Sequence, residues 1–317
     1  MENVRVEREE ELTLVARKPF FGLPTACSTS LPVYIYLKFS KIPFTLEFKN
    51  NYPDSDQIPF VECGDYVAYN NVNGGVIKTL KEDKIVDLDS DISSTPEWVS
   101  MKAMVESWLK DAVLYELWVG SDGKAAHSIY YSDLPWPIGK VLHFKQVRAV
   151  KQLLAITSSN AEEREQEIYD RASMVYKALS SKLEEESFFF ERPTSLDAVF
   201  LGHVLFTLHA LPETSILKSK LLEHPNLVTN AEKLKSVYID SNSPSADPSS
   251  SASRRGPSRW SSKPEYKSPK REKTEEEKQF RRRSTYFLAS QFIAVLVFIT
   301  IFGGSEDGDV DDDGIYE

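Results

Sequence analysis

The chain predicts an α+β unit followed by an all-helical unit, a disordered linker and one C-terminal transmembrane helix. Three observations carry this. Short β-type runs alternate with helical runs up to about residue 80, and the pattern from about Pro96 to Tyr238 is helical throughout. From Ser284 to Ser305 no side chain is charged. The expected divisions are a disordered N-terminus at 1–10, an α/β domain at 11–85, a helical domain at 86–240, a basic linker at 241–285, a span at 286–302 and an acidic tail at 303–317.

In the first domain, LTLVA at 12–16 and FTLEF at 44–48 read as strands flanking a helix at 30–41 that opens at Ser30 with a proline near its start. IPFVECGDYVAY at 58–69 reads as a strand pair, and a short helix follows from about Gly75 to Lys81. A unit of this size is too small to be a doubly wound sheet.

In the second domain, Trp98, Met101, Val105, Trp108, Ala112, Tyr115 and Trp118 fall at spacings of three and four and make one apolar stripe. Ile168, Ala172, Val175, Leu179 and Leu183 repeat the pattern, with Glu162, Glu163 and Glu165 in the first turn, where the helix dipole favours acids. AVFLGHVLFTLHAL at 198–211 is apolar nearly all round and too short to span a bilayer, so it is expected to be the buried central helix. Thr194 with Asp197 three residues later forms a capping box that starts it. Trp98, Trp108, Trp118 and Trp136 are at helical spacing, the pattern of core aromatics rather than of a docking patch.

Tyr286–Phe302 reads YFLASQFIAVLVFITIF, about 25 Å of helix, the short end of a membrane span. The residues expected to form the membrane anchor are Tyr286, Phe287, Leu288, Phe292, Ile293, Val295, Leu296, Val297, Phe298, Ile299, Ile301 and Phe302. The eleven Leu, Ile, Val and Phe side chains favour insertion by about 3–7 kcal/mol before polar members subtract. Arg281, Arg282 and Arg283 immediately before the span set its topology, keeping the preceding domains in the cytosol. MENVRVEREEEL at the N-terminus is acidic and has no apolar run, so neither a secretory signal nor a transit peptide is expected there. A short span with a basic flank fits a thin membrane, the mitochondrial outer membrane first, with the endoplasmic reticulum and the plastid envelope as alternatives.

Residues 254–283 hold twelve Lys or Arg against five acids, and residues 306–317 hold seven acids. The net charge is −10, so the body before the linker is acidic, which argues against nucleic acid as a partner. The basic run beside the span is better suited to lipid headgroups. SNSPSADPSSSASRRGPSRWSSKPEYKSPK at 241–270 is Ser- and Pro-rich and reads as a flexible connection that reaches roughly 30 Å. Cys27 and Cys63 in a reducing compartment argue against a disulfide, and the five histidines show no metal-ligand pairing. No nucleophile elbow, P-loop or dinucleotide glycine pattern is present.

A small α/β domain, a helical domain and a capping box opening a buried helix together resemble the glutathione-transferase architecture, in which the first domain is thioredoxin-like. LVARKPFFGLPTACSTSLPVYIYLKFSKIPF, DYVAYNNVNGGVIKTL, SIYYSDLPWPIGKVL, FFFERPTSLDAVFLGHVLF and LLEHPNLVTNAEKLKS, with TEEEKQFRRR before the span, are similar to the metaxin family over nearly the whole chain outside 241–270. The resemblance implies a non-enzymatic accessory subunit of mitochondrial protein import and outer-membrane β-barrel assembly. Its implied partners are the β-barrel assembly machinery, β-barrel precursors and the general import translocase, beside membrane lipid. No catalytic residue, cofactor or metal is expected.

The transferase likeness also implies a cis-proline, for which Ile58-Pro59 is the candidate. It implies an acid-Ser pair that meets the γ-glutamyl ammonium of glutathione, where this chain has Tyr69-Asn70-Asn71 and no carboxylate. The activating hydroxyl or thiol maps to Cys27-Ser28-Thr29-Ser30. Cys27 has two readings: a thiolate at a helix N-terminus, or a small packed residue beside a Thr29 or Ser30 cap. Two alternatives therefore stand beside the import subunit: a tail-anchored glutathione-dependent transferase or thiol enzyme, and a module that tethers or docks at a membrane.

Overall fold

The computed structural model describes residues 12–49, 56–184 and 186–240, together with Tyr286, Ser290 and Gln291. Four strands form one sheet in the order β2-β1-β3-β4. β1 (Leu12–Ala16) pairs in parallel with β2 (Phe44–Phe48) and antiparallel with β3 (Phe60–Cys63), which turns back into β4 (Tyr66–Tyr69). Leu14 lies opposite Leu46 on one side and Val61 on the other, so the central strand is apolar on its buried positions. β2 is an outer strand with Thr45, Glu47 and Phe48 exposed.

The parallel β1–β2 pair needs a crossover, and α1 (Ser30–Ser40) supplies it. SLPVYIYLKFS is buried at nine positions because α1 also packs against α8 (Ser195–Ala210), the largest helix-on-helix contact of the fold. Lys41 ends α1 in the left-handed region at φ 58°, with its N–H on the Lys38 carbonyl. The expected Thr29 or Ser30 cap is absent: Thr29 occupies the N-cap position with φ −92° and ψ −29°, not the extended backbone that aims a capping side chain, and makes no side-chain capping bond.

The remaining helices are α2 (Val76–Glu82), α3 (Pro96–Met104), α4 (Lys110–Tyr115), α5 (Lys124–Ala126), α6 (Trp136–Leu153), α7 (Ala161–Leu183), α9 (Ile216–Leu222) and α10 (Pro225–Tyr238). The stripe read as one helix over 98–118 is interrupted by two π-helical segments, Val105–Leu109 and Glu116–Gly120. Each wide turn shifts the register of the helix. Trp98, Met101, Val105, Ala112, Tyr115 and Trp118 are nevertheless buried, while Trp108 is half-buried under the Arg171 guanidinium. A third π-helical segment, His127–Tyr131, follows α5.

One hydrophobic core runs through both halves, from Leu14 and Val61 of the sheet through Tyr36 and Leu37 of α1 to Leu205 and Phe206 of α8. The arrangement is glutathione-transferase-like, a thioredoxin-like sheet with a helical C-terminal half. α8 begins at a capping box: the Thr194 N–H donates to Asp197 Oδ2 at 3.0 Å, and the Asp197 N–H donates to Thr194 Oγ1 at 3.3 Å. Asp197 Oδ1 also accepts the Phe189 N–H at 3.0 Å. Burial pushes the Asp197 carboxyl up to about 6 against these hydrogen bonds.

The segment expected to span a membrane lies outside the described residues except for Tyr286, Ser290 and Gln291, which are helical and exposed. Arg281, Arg282 and Arg283, the linker and the acidic tail also lie outside them. Among the described residues no helix is long and apolar enough to cross a membrane.

Candidate functional site

A cleft of about 340 Å³ opens between the N-terminus of α1, the loop after β4, and helices α3, α4 and α8. Ser28 and Thr29 line it at the start of α1, Asn70 and Gly75 at the loop, and His203 at the α8 side. Gly75 has φ 100°, a backbone conformation that a side chain resists, so the loop needs glycine there to turn into α2.

The charge of the cleft is mainly basic. Lys78, Lys102 and Lys110 line it against one acid, Glu106, and Glu106 is paired with Lys102 at 3.3 Å. Lys78 is paired with Glu82 at 3.6 Å. Where a transferase would hold the γ-glutamyl ammonium with a carboxylate, the chain offers Asn70 and Asn71. Their amides are tied to the preceding loop, Asn70 Nδ2 donating to the Asp56 carbonyl and Asn71 Nδ2 to Asp56 Oδ1, both at 3.2 Å. Sequence reasoning missed Asp56, a carboxylate brought beside Asn71 from fifteen positions upstream. It does not line the cleft, and no local motif announces it.

The Ile58–Pro59 bond is cis, and Pro59 leads directly into β3.

Cys27 sits behind the cleft wall, 2% exposed. Its Sγ lies 3.0 Å from Thr29 Oγ1 and 3.3 Å from the Tyr130 hydroxyl. The Arg17 guanidinium lies 5.0 Å from the centroid of the Tyr130 ring. Burial pushes the thiol up, but the Thr29 and Tyr130 hydroxyls and the Arg17 charge outweigh it and leave Cys27 below its ordinary value. Of the two cations near Cys27 in sequence, Arg17 reaches this cluster and Lys18 does not: Lys18 Nζ is held by Ser132 and Asp133, each at 2.7 Å. Tyr130 was invisible in sequence because it is 103 positions from Cys27.

His203 pairs through Nε2 with the Tyr176 hydroxyl at 2.6 Å. Burial lowers its pKa to about 3, so it is neutral in the folded chain. His209 meets Glu232 at 3.0 Å near the surface. Among the described residues no group of three or more His, Cys, Asp or Glu is placed to hold a metal ion.

The half that carries the sheet is joined to α8 by one buried carboxylate. Asp89 is wholly buried, and its Oδ1 accepts the Ser195 N–H at 2.8 Å. Its Oδ2 accepts the Ser195 hydroxyl and Lys81 Nζ, each at 2.5 Å. Arg192 adds bonds to the Leu88 carbonyl and to Asp91, both at 3.0 Å. This seam fixes the start of α8, and so the back wall of the cleft, relative to the sheet.

Residues 28–123 match the glutathione S-transferase N-terminal domain family, and residues 172–234 match the glutathione S-transferase C-terminal domain family. Among solved structures, glutathione S-transferase III in its apo form is similar over 71% of this chain and 91% of that chain, at 12% identity and a TM-score of 0.42. Human metaxin-2 is 25% identical over 222 residues, 67% of this chain and 82% of that one. The mitochondrial outer membrane import complex protein METAXIN of Arabidopsis thaliana is 53% identical over 300 residues, covering 94% of this chain and 95% of that protein. By that near-full-length match, the chain belongs to the metaxin family.

Proposed function

We propose that the chain is a non-enzymatic, membrane-tethered accessory subunit of mitochondrial protein import that serves β-barrel assembly in the outer membrane. The observation that carries this reading is the likeness to the Arabidopsis protein, whose name places that protein in the outer membrane import complex. Residues 286–302 are the single-pass tail anchor, Arg281–Arg283 keep the preceding domains in the cytosol, and 303–317 lie across the membrane. The partners are the outer-membrane β-barrel assembly machinery, β-barrel precursors and the general import translocase.

The cleft supports a binding role over transferase chemistry. Its acid is paired with a lysine, and amides occupy the place of the γ-glutamyl contact. A sheet edge is also available: β2 is an outer strand, and an extended precursor segment can pair with such an edge by strand addition. An N-terminal fluorescent fusion that leaves the C-terminus free tests the address: a mitochondrial rim is expected, and a reticular pattern overturns it. Crosslinking in intact mitochondria should recover assembly components, and recovery of non-mitochondrial neighbours alone sinks the import reading in favour of a general tether.

A second reading, a tail-anchored thiol enzyme, is favoured by one observation: the lowered Cys27 thiol between Thr29 and Tyr130. Retention on immobilised glutathione together with turnover of a general electrophile, both abolished by Cys27→Ser, would establish it. The import reading predicts neither.

A further inference from the structure

α6 stands apart from the rest of the described chain. Its inner positions Gly139, Leu142, His143, Val147 and Val150 turn toward the neighbouring π-helical segments and α4. Its outer face carries large apolar side chains in water: Ile138 is 51% exposed, Val141 50% and Phe144 67%. Spacings of three place them on one side of two successive turns. Leu153, at the end of the same helix, is 69% exposed, whereas Phe20, Val99 and Met174 lie singly on separate elements and α9 exposes two such residues, Ile216 and Leu222.

The charge of this helix is equally distinct. Trp136–Leu153 contains Lys140, Lys145, Arg148 and Lys151, all exposed, and no Asp or Glu. The whole chain carries −10. An exposed face with apolar residues over its first two turns and basic residues beside and beyond them matches the boundary between lipid headgroups and acyl chains. The stems of such lysines lie along apolar surface while the ammonium groups reach outward.

We propose that the outer face of α6 is an interfacial docking surface for an anionic lipid bilayer. Ile138, Val141 and Phe144 enter the headgroup region, and Lys140 and Lys151 meet headgroup phosphates. Charge complementarity favours lipid phosphate, since an acidic body is repelled by an anionic membrane everywhere except at a basic face. A helix that exposes Ile138, Val141 and Phe144 on one solvent-facing side suits a deformable lipid surface, whereas a shaped protein groove would bury it as one of a matched pair. The proposal rests on the tethered reading for proximity: a thirty-residue linker of flexible-coil composition spans roughly 30 Å on average, which allows the domains to reach the membrane surface. Docking through α6 would then fix which side of the cleft faces the cytosol.

The test uses the full chain, reconstituted in phosphatidylcholine vesicles with and without an added anionic phospholipid. An environment-sensitive fluorophore is placed at Val141→Cys in a Cys63→Ser background, and a control label at Met174→Cys, which is 54% exposed on α7. The label at 141 should shift to the blue and be quenched by lipid-borne quenchers in anionic vesicles only. High salt or the double change Lys140→Glu/Lys151→Glu should reverse both effects, and the label at 174 should stay aqueous. An aqueous label at 141 in both vesicle types overturns the proposal. Shielding at 141 that appears only when purified assembly-complex protein is added also overturns it, and makes α6 a protein-docking face. Alkaline extraction scores the tether separately: an inextractable chain with an aqueous label at 141 contradicts the α6 proposal alone, and an extractable chain shielded at 141 contradicts the tether alone.

Discussion

The seam at Asp89 and the cleft a short distance away are built by the same two halves of the molecule, yet they treat polar groups in opposite ways. At the seam a wholly buried carboxylate receives the Ser195 amide and hydroxyl and the Lys81 ammonium. In the cleft the acid is tied to a lysine, and amides stand where a ligand's ammonium would need a carboxylate. The difference teaches which part of the transferase-like frame is structural. Groups that hold the halves together are complete, whereas in the cleft amides stand at the position where the transferase likeness implies a carboxylate.

Breaking the seam should therefore cost most. Asp89→Ala leaves the buried Ser195 amide and the partly buried Lys81 ammonium without their acceptor, a loss of about 2–4 kcal/mol. Urea unfolding of the full chain reads this as a large fall in midpoint. Next is the packing of α1 on α8. A Cβ at Gly202 would meet Pro32 Cγ at 2.8 Å and Pro32 Cδ and N at 3.0 Å, atoms of a rigid ring and of the backbone. Gly202→Ala should cost about 1–3 kcal/mol by overpacking, and a midpoint unchanged from wild type would show that α1 can withdraw freely.

pH sharpens the comparison at the wall of the cleft. His203 has a folded pKa of about 3 against an ordinary 6.5, so the unfolded chain binds the extra proton. Its contribution is fully present above pH 6.5 and is lost as pH falls toward 3. Between pH 7.5 and 5 this amounts to about 2 kcal/mol. Asp197 acts in the opposite direction: its carboxyl is raised to about 6 from 3.8, so its contribution is present at low pH and is lost as pH rises through 6. Comparison of wild type with His203→Gln isolates the histidine, and the variant should lose less stability on acidification. The smallest effect belongs to the cluster behind the cleft wall: Cys27→Ser keeps a hydrogen-bonding atom near Thr29 and Tyr130 and should shift stability by about 1 kcal/mol or less.

The elements that were legible in the sequence are those specified locally. β1, β2 and the β3–β4 pair follow from alternation, and the Thr194–Asp197 box marks the start of α8 because both partners lie within one turn. The nearly all-apolar 198–211 segment announces a helix buried over most of its length. The π-helical segments at Val105–Leu109 and Glu116–Gly120 were not legible, since a wide turn leaves an apolar stripe nearly intact. The pairs that define the site were hidden for a different reason. Asp89 and Ser195 are 106 positions apart, and Cys27 and Tyr130 are 103 apart, so only the fold brings them together. Asn70 and Asn71 gave the useful negative signal in sequence, while the Asp56 carboxylate beside them did not.

The proposed function makes position, rather than thiol or glutathione chemistry, the source of activity. Assembly of a radiolabelled β-barrel precursor in mitochondria that lack the endogenous protein tests it directly, with full chain, Cys27→Ser and a chain truncated before Tyr286 supplied in turn. Cys27→Ser is expected to support assembly at the rate of the full chain, and the truncated chain to fail. Full rescue by the truncated chain together with failure of Cys27→Ser would contradict the account.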